Sequence, residues 1–246
     1  MKLYKTDLHI HSCLSPCADL DMSPKGIVET SLERGLDLIA VCDHNSAENV
    51  GAVMRAGTER GLPVLAGLEI SSVEEVHSLA FFDKEEQALA MQAFVYGHLT
   101  GTNRPEIFGD QVVANEFDEV EGFNDRLLIG ATKLPLRKIL DEVHRLGGLG
   151  IASHVDRPSY SLLSQLGFIP QDLALDALEI SPNMKRESVP EKIPDAAVFP
   201  VVTFSDAHFL HDIGKVFTCF FMGSPEVEEM RMALRGQAGR SIAEGC

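Results

Sequence analysis

The chain has no tryptophan, three tyrosines, five cysteines, and only 21 lysines and arginines against 37 aspartates and glutamates in 246 residues. No apolar run approaches the roughly 18–20 residues needed to cross a bilayer, and the N-terminus lacks the basic flank and apolar stretch of a secretory leader. A cytoplasmic protein with no membrane partner is therefore expected. The cysteines, at 13, 17, 42, 219 and 246, are odd in number and scattered through a chain long enough to fold without staples. They read as reduced thiols rather than a disulfide framework. A formal net charge of −16 and the lack of a basic cluster argue against long duplex DNA as a partner, since phosphate binding needs cations that release counterions. There is no short-period repeat and no low-complexity tract, which removes solenoids and propellers.

What is present is 45% apolar residues, enough for one sizeable core, and an acidic surplus suited to gathering carboxylates around cations. Apolar, β-branched runs at Leu3–Ile10, Leu38–Cys42, Pro63–Ile70, Val76–Phe82, Leu149–Ser153, Ala177–Ile180, Phe199–Phe204 and Val216–Phe221 predict strands. Helices are predicted from Pro24 to Arg34, after Ser46 to Arg60, from Leu136 to Leu146 and around Pro225–Arg235, with Gly35, Gly61 and Gly147 placed as left-handed C-caps. Alternating strand and helix predicts parallel βαβ units. The whole chain, 1–246, is expected to be one such domain. The glycine- and acid-rich stretch 98–132 reads as an insertion, a solvated loop with a short helix being favoured over a substrate-covering lid.

Polar groups recur near the ends of the apolar runs. His9 and His11 lie two apart, which on a strand turns both imidazoles to one face. Cys42-Asp43-His44-Asn45 follows the second run, Glu69 closes the third, and His77 opens the fourth. Ser153-His154 ends the fifth, and Ser205-Asp206-Ala207-His208 follows a late one. In a closed barrel such ends meet at one mouth, so residues nearly two hundred positions apart become neighbours there. Arg157 stands where a guanidinium could grip phosphate, an ion pair with an acidic neighbour being the alternative; Lys185 and Arg186 form a second cationic candidate. His144 reads as a packing or surface residue of its helix.

This ordered set resembles the polymerase and histidinol phosphatase (PHP) family from Met1 to about His211. The resemblance implies an α/β fold, a distorted seven-stranded β/α barrel of TIM-like type, with two or three divalent transition-metal ions (Zn, Mn or Fe) at its C-terminal mouth. It implies that His9, His11, Glu69 and Asp206 hold one metal, that Glu69 bridges to a second held by His77 and His154, and that Asp19, His44 and His208 hold a third. Asp21 and Cys17 compete with Asp19, because the loop Ser12–Met22 is longer than in the family pattern. The implied activity is hydrolysis of a phosphate ester of a small molecule, nucleotide or short oligonucleotide by a metal-bridging hydroxide. Arg157, Lys185 and Arg186 would bind substrate, and His154 or His208 would pass a proton. Asp43 would orient a metal-bound imidazole. An amidohydrolase-type metal hydrolase and a non-catalytic metal-binding PHP module are the alternatives. A bridging lysine on a middle strand would mark the first, and missing ligands the second.

Overall fold

A computed structural model describes residues 1–243. Among the described residues there are eleven strands: β1 Lys2–Ile10, β2 Leu38–Val41, β3 Val64–Ser71, β4 His77–Phe82, β5 Val112–Ala114, β6 Val120–Phe123, β7 Leu149–Ala152, β8 Ala177–Ile180, β9 Val201–Thr203, β10 Thr218–Met222 and β11 Ser241–Ala243. The helices are α1 Pro24–Glu33, α2 Val50–Arg60, α3 Glu85–Tyr96, α4 Pro105–Phe108, α5 Leu136–Arg145, α6 Leu162–Leu166, α7 Val189–Lys192 and α8 Val227–Leu234.

Nine strands form one sheet in the order β11-β10-β1-β2-β3-β4-β7-β8-β9, and β5 pairs only with β6. The expected count of seven is thus corrected, because β10 and β11 extend the sheet antiparallel beyond β1. Parallel βαβ units, expected from the alternation, account for β1–β2–β3 and β7–β8–β9 but not for β4. β4 runs antiparallel to both β3 and β7, so its first residue, His77, lies where the parallel strands end. The sheet curls until the segment after β9 runs beside β1, with Ala207 N–H donating to His9 O (3.1 Å) and His11 N–H to Ala207 O (2.9 Å).

Alternation along the strands sorts the side chains into two layers. Leu38, Ala40, Leu65, Leu79, Phe81, Leu149, Ile151, Ala177, Val202 and Phe204 pack with Leu8 inside the curl. Val227, Met230, Ala233 and Leu234 of α8 close that core together with Tyr4 and Met222. The alternate positions, such as Ala66, Leu68 and Ile70, face outward under α2, α3 and α5. A fully buried Phe81 or Phe204 contributes about 2–3 kcal/mol by leaving water.

Local chemistry explains the helix ends. Ser23 Oγ accepts from Gly26 N–H at 3.2 Å and Pro24 opens α1; Gly35, Gly61 and Gly147 all take left-handed φ, as their positions predict. α2 starts later than expected because Ser46 is engaged with Tyr96 and Gln92. Asn49, the capping residue, turns its side chain to Val112 O, Ser12 Oγ and Ala114 N–H instead. Helix α3 and strands β5 and β6 had no expectation in the sequence reading. Among the cysteines, 13, 17 and 42 are free thiols, but Cys219 is disulfide-bonded, which corrects the reading of all five as reduced; an odd, scattered set still allows one pair. Cys246 lies outside the described residues. Among those residues, no helix is long and apolar enough to cross a membrane.

Candidate metal centre

The period-two pattern that fills the core also delivers the polar groups. His44 continues the inward parity of Leu38 and Ala40, Glu69 that of Leu65, His77 that of Leu79 and Phe81, Glu179 that of Ala177, and Asp206 that of Val202 and Phe204. Three residues, from two places in the chain, reach the site by breaking the pattern. β1 changes register between Asp7 and Ile10, so that Leu8 packs in the interior while Ile10 packs outside against Ile27 and Val28, and His9 and His11 turn inward. Such a bulge re-aims side chains. His154 turns in through a positive φ of 28°; Asn45, Tyr160 and Asp206 share the left-handed region at 53°, 56° and 51°. Each costs of order 1 kcal/mol, a concentration of strain typical of functional mouths.

The imidazoles and carboxylates converge. His9 Nε2 lies 3.2 Å from Asp206 Oδ1 and 3.4 Å from Glu69 Oε1, and His11 Nε2 lies 3.2 Å from both His9 Nε2 and Asp206 Oδ1. Glu69 is central: Oε1 is 3.1 Å from His77 Nδ1 and 3.2 Å from His154 Nε2, and Oε2 is 3.1 Å from His44 Nδ1. Donor atoms of His9, His11 and Asp206, of His44, Glu69 and His77, and of His11, His44 and His208 each lie within 4.8 Å of one another. The donor set fits divalent cations on an observation internal to the protein. His44 Nδ1 and His77 Nδ1 are buried beside a carboxylate, yet neither has a hydrogen-bond partner. Leaving them so would be costly unless a third atom meets nitrogen and oxygen together.

Partners behind the rings fix their orientation. His9 Nδ1–H donates to Glu179, whose oxygens stand at 3.0 and 3.1 Å, and Glu179 also accepts from His154 N–H at 2.9 Å. Ser15 Oγ donates to Asp43 Oδ1 at 2.6 Å and so accepts at 3.0 Å from His11 Nδ1–H. Both rings therefore turn Nε2 to the mouth, the atom a ligand imidazole offers. Asp43 touches no ring; it binds Ser12 and Ser15, reaching His11 through the latter.

The field at His9 favours positive charge. Burial works against a charge on His9, but Glu179, Asp206 and Glu69 outweigh it and lift the imidazole well above its ordinary value. Burial likewise opposes ionised Glu69, but His77 and His9 hold its carboxyl well below the usual range. Burial would raise the Cys17 thiol, yet hydrogen bonds from His208 and His44 bring it down to about 6.

A hollow of about 180 Å³ opens over these groups, lined by Cys17, His44, Glu69, His77, Ile129, His154, Arg157, Ser159, Tyr160, Asp206 and His208. Arg157 Nη2 meets Asp206 Oδ2 at 2.5 Å, so the guanidinium is at the mouth and ion-paired at once. Tyr160 stacks on His77 with centroids 4.8 Å apart. Asn45 Nδ2 donates to Leu128 O and Gly130 O and so pins the 98–132 stretch with Ile129 on the rim.

Three expected site residues lie elsewhere. Asp19 turns its carboxylate to Asp21 N–H at 2.9 Å and does not line the hollow, because the longer loop folds on itself. Lys185 and Arg186 follow a turn held by Asp156, which binds Ser181 N and Oγ at 2.6 Å each. Arg186 lines a separate hollow of about 460 Å³ with Thr203 and Thr218 that holds no imidazole. His144 pairs with Asp176 at 2.8 Å, and His211 is exposed beside Asp212. Glu179 and Ser15 were not among the expected site residues. A carboxylate inside Leu178-Glu179-Ile180, at the parity of Ala177, is the signal that identifies the first.

An α/β fold whose curled sheet collects imidazoles and carboxylates at one rim defines the class of cation-binding β/α mouths. Residues 7–163 match the PHP domain model, and the chain belongs to the PHP domain family. The sequence is 34% identical over 68 residues to a 5'-3' exoribonuclease of Haemophilus influenzae, covering 28% of this chain and 24% of that protein. It is 26% identical over 154 residues to a PolC-type DNA polymerase III of Oceanobacillus iheyensis, covering 56% of this chain and 10% of that one. The chain thus spans a small part of either relative. The lesion-specific endonuclease Q of Pyrococcus furiosus has the same fold, with a TM-score of 0.72 at 20% identity, covering 98% of this chain and 58% of that one. An inferred metal-dependent phosphoesterase of Bifidobacterium adolescentis matches with a TM-score of 0.63 at 19% identity over 95% and 96% of the two chains.

The expectation that long duplex DNA is excluded is overturned. An endonuclease Q of this fold, with a TM-score of 0.71 at 21% identity over 98% of this chain and 58% of its own, is seen with a 27-mer duplex whose abasic lesion lies at the active site. Net charge is a whole-chain sum and does not describe the few groups that meet a phosphate.

Proposed function

We propose that the protein is a metal-dependent phosphoesterase that hydrolyses a phosphate ester of a small molecule, a nucleotide or a nucleic-acid strand. The observation that carries this reading is Glu69, whose two oxygens each face unpartnered imidazole nitrogens at 3.1 Å. One carboxylate so placed can serve two cations at the short spacing of two-metal hydrolases. His9, His11 and Asp206 would hold one ion with Glu69, and His77 and His154 the other. Ions bound there would polarise a phosphoryl group and acidify water at the mouth.

The chain's own residues then bind and orient. Arg157, paired with Asp206, is the rim cation that can turn to a phosphoryl oxygen. Glu179, and Asp43 through Ser15, hold the rings of His9 and His11. Nitrogens of His154 and His208 are already engaged with Glu69 and with Asp206 O, which favours a ligand role for both over proton transfer. Ile129 and the 98–132 stretch cover one side of the mouth. Beyond Ile129 and Tyr160 an adjoining hollow of about 290 Å³, with Phe108 and Leu127, offers apolar surface for the leaving group.

The test is metal analysis of the purified protein followed by hydrolysis assays with added Mn or Zn. Substrates should include phosphomonoesters, nucleotides, single strands and an abasic duplex. Turnover only of amides or lactones would replace this reading with an amidohydrolase, although no lysine lines the hollow. Full metal content without turnover would leave a binding module.

A further inference from the structure

The loop between β1 and α1 carries one donor that the strands do not supply. We infer that Cys17 is a thiolate ligand which completes, with His44 and His208, a metal position at the outer edge of the mouth, where Asp19 was expected. The inference rests on the reading of the mouth as a metal centre and adds a ligand of different chemistry to it.

Four observations carry it. Cys17 belongs to a surface loop, but its side chain lines the hollow beside His44 and His208. Asp19 is withdrawn into its own turn, and Asp21 is exposed. The donor atoms of His11, His44 and His208 gather within 4.8 Å, a three-nitrogen set that one further donor from the loop would complete. His44 is 6% exposed, and its buried Nδ1 has no hydrogen-bond partner.

The loop is held for this task. Asp19 N–H donates to His208 O at 2.9 Å, tying the residues around Cys17 to the segment that carries His208. Gly109, at φ 101°, lies so close that a Cβ there would stand 2.6 Å from Pro16 O, so the 98–132 stretch presses on the residue before Cys17. The other free thiols are spoken for: Cys13 faces Val112 O and Cys42 faces Leu8 O. Binding involves no redox change, since the S–H proton passes to solvent as the sulfur lone pair forms the metal bond. A thiolate makes this position softer than its all-nitrogen-and-oxygen neighbours, so it should prefer Zn, Fe or Co to Mn.

Cobalt(II) substitution tests this directly. The wild-type protein loaded with cobalt should show a near-ultraviolet sulfur-to-cobalt charge-transfer band. The band should vanish in Cys17→Ser and Cys17→Asp and survive in Cys13→Ala. Cys17→Asp should keep the wild-type cobalt content, which separates loss of the sulfur ligand from loss of folding. A fully loaded wild type without the band, or a band that persists in Cys17→Ser, overturns the inference but leaves the metal centre standing. Failure of the wild type to retain any cobalt overturns both.

Discussion

Glu179 grips His9 from behind, its two oxygens 3.0 and 3.1 Å from Nδ1, while it anchors the backbone of His154. One buried carboxylate therefore orients ligand candidates from two strands. Glu179→Gln should weaken metal retention by about 10-fold and Glu179→Ala by about 100-fold, the range for partners that stand behind a ligand. Competition with a chromogenic chelator measures this, and unchanged retention in both variants would remove Glu179 from the centre.

Glu69→Gln keeps the shape but loses the charge shared among His9, His44, His77 and His154. Bound metal should fall and phosphoesterase turnover drop on the order of 100-fold or more. Elemental analysis with steady-state kinetics on one responsive ester checks both. Wild-type turnover in this variant would refute the central role given to Glu69.

Arg157→Ala removes the rim guanidinium but none of the proposed ligands. KM for a phosphate ester should rise about tenfold, the scale of one charge-assisted hydrogen bond, with a smaller change in kcat. A pure kcat loss would mean that Arg157 acts by neutralising Asp206 rather than by holding substrate.

Asp176 joins α5, β7 and α8 through His144, Gly150 N–H and Arg231. Burial opposes its ionisation, but these partners hold its carboxyl below the usual 3.8. Because the folded value is the lower one, its stabilisation is present above pH 3.8 and is lost as pH falls through the folded value. Asp176→Asn should cost about 1.5–3 kcal/mol at neutral pH, roughly 3–12 °C in Tm, with the gap closing below pH 3.8. Thermal melts of both proteins across pH would show this; a gap that widened on acidification would reverse the sign.

Much of the fold and the candidate site could be read from alternation. Glu69 lies four residues after inward-facing Leu65 and Asp206 four after Val202, so the same period that places apolar side chains in the core sends these carboxylates to its rim. The sequence hid what breaks the period. No pattern marks the register shift that brings His9 and His11 inward next to Leu8, nor the left-handed turn of His154. Asp19 lies off the hollow, and loop length, unlike strand parity, does not say which side chain turns in. Glu179 shares the inward parity of Ala177, but a lone carboxylate in an apolar strand does not say which ring it stands behind. β10 and β11 read as apolar runs or not at all, since nothing local tells an added antiparallel edge from another parallel strand.

The reversed direction of β4 makes the link across residues 72–76 a gauge for the whole centre. Ser71 pairs with His77 and Glu69 with Leu79, so shortening or lengthening that link by one residue, if the slip ran through the pairing, would swing His77 to the outer layer and send its neighbour inward. Changes of two residues would keep the facing but slide the imidazole along the groove. Chains that share this architecture should therefore tolerate variation there in even steps far better than in odd ones.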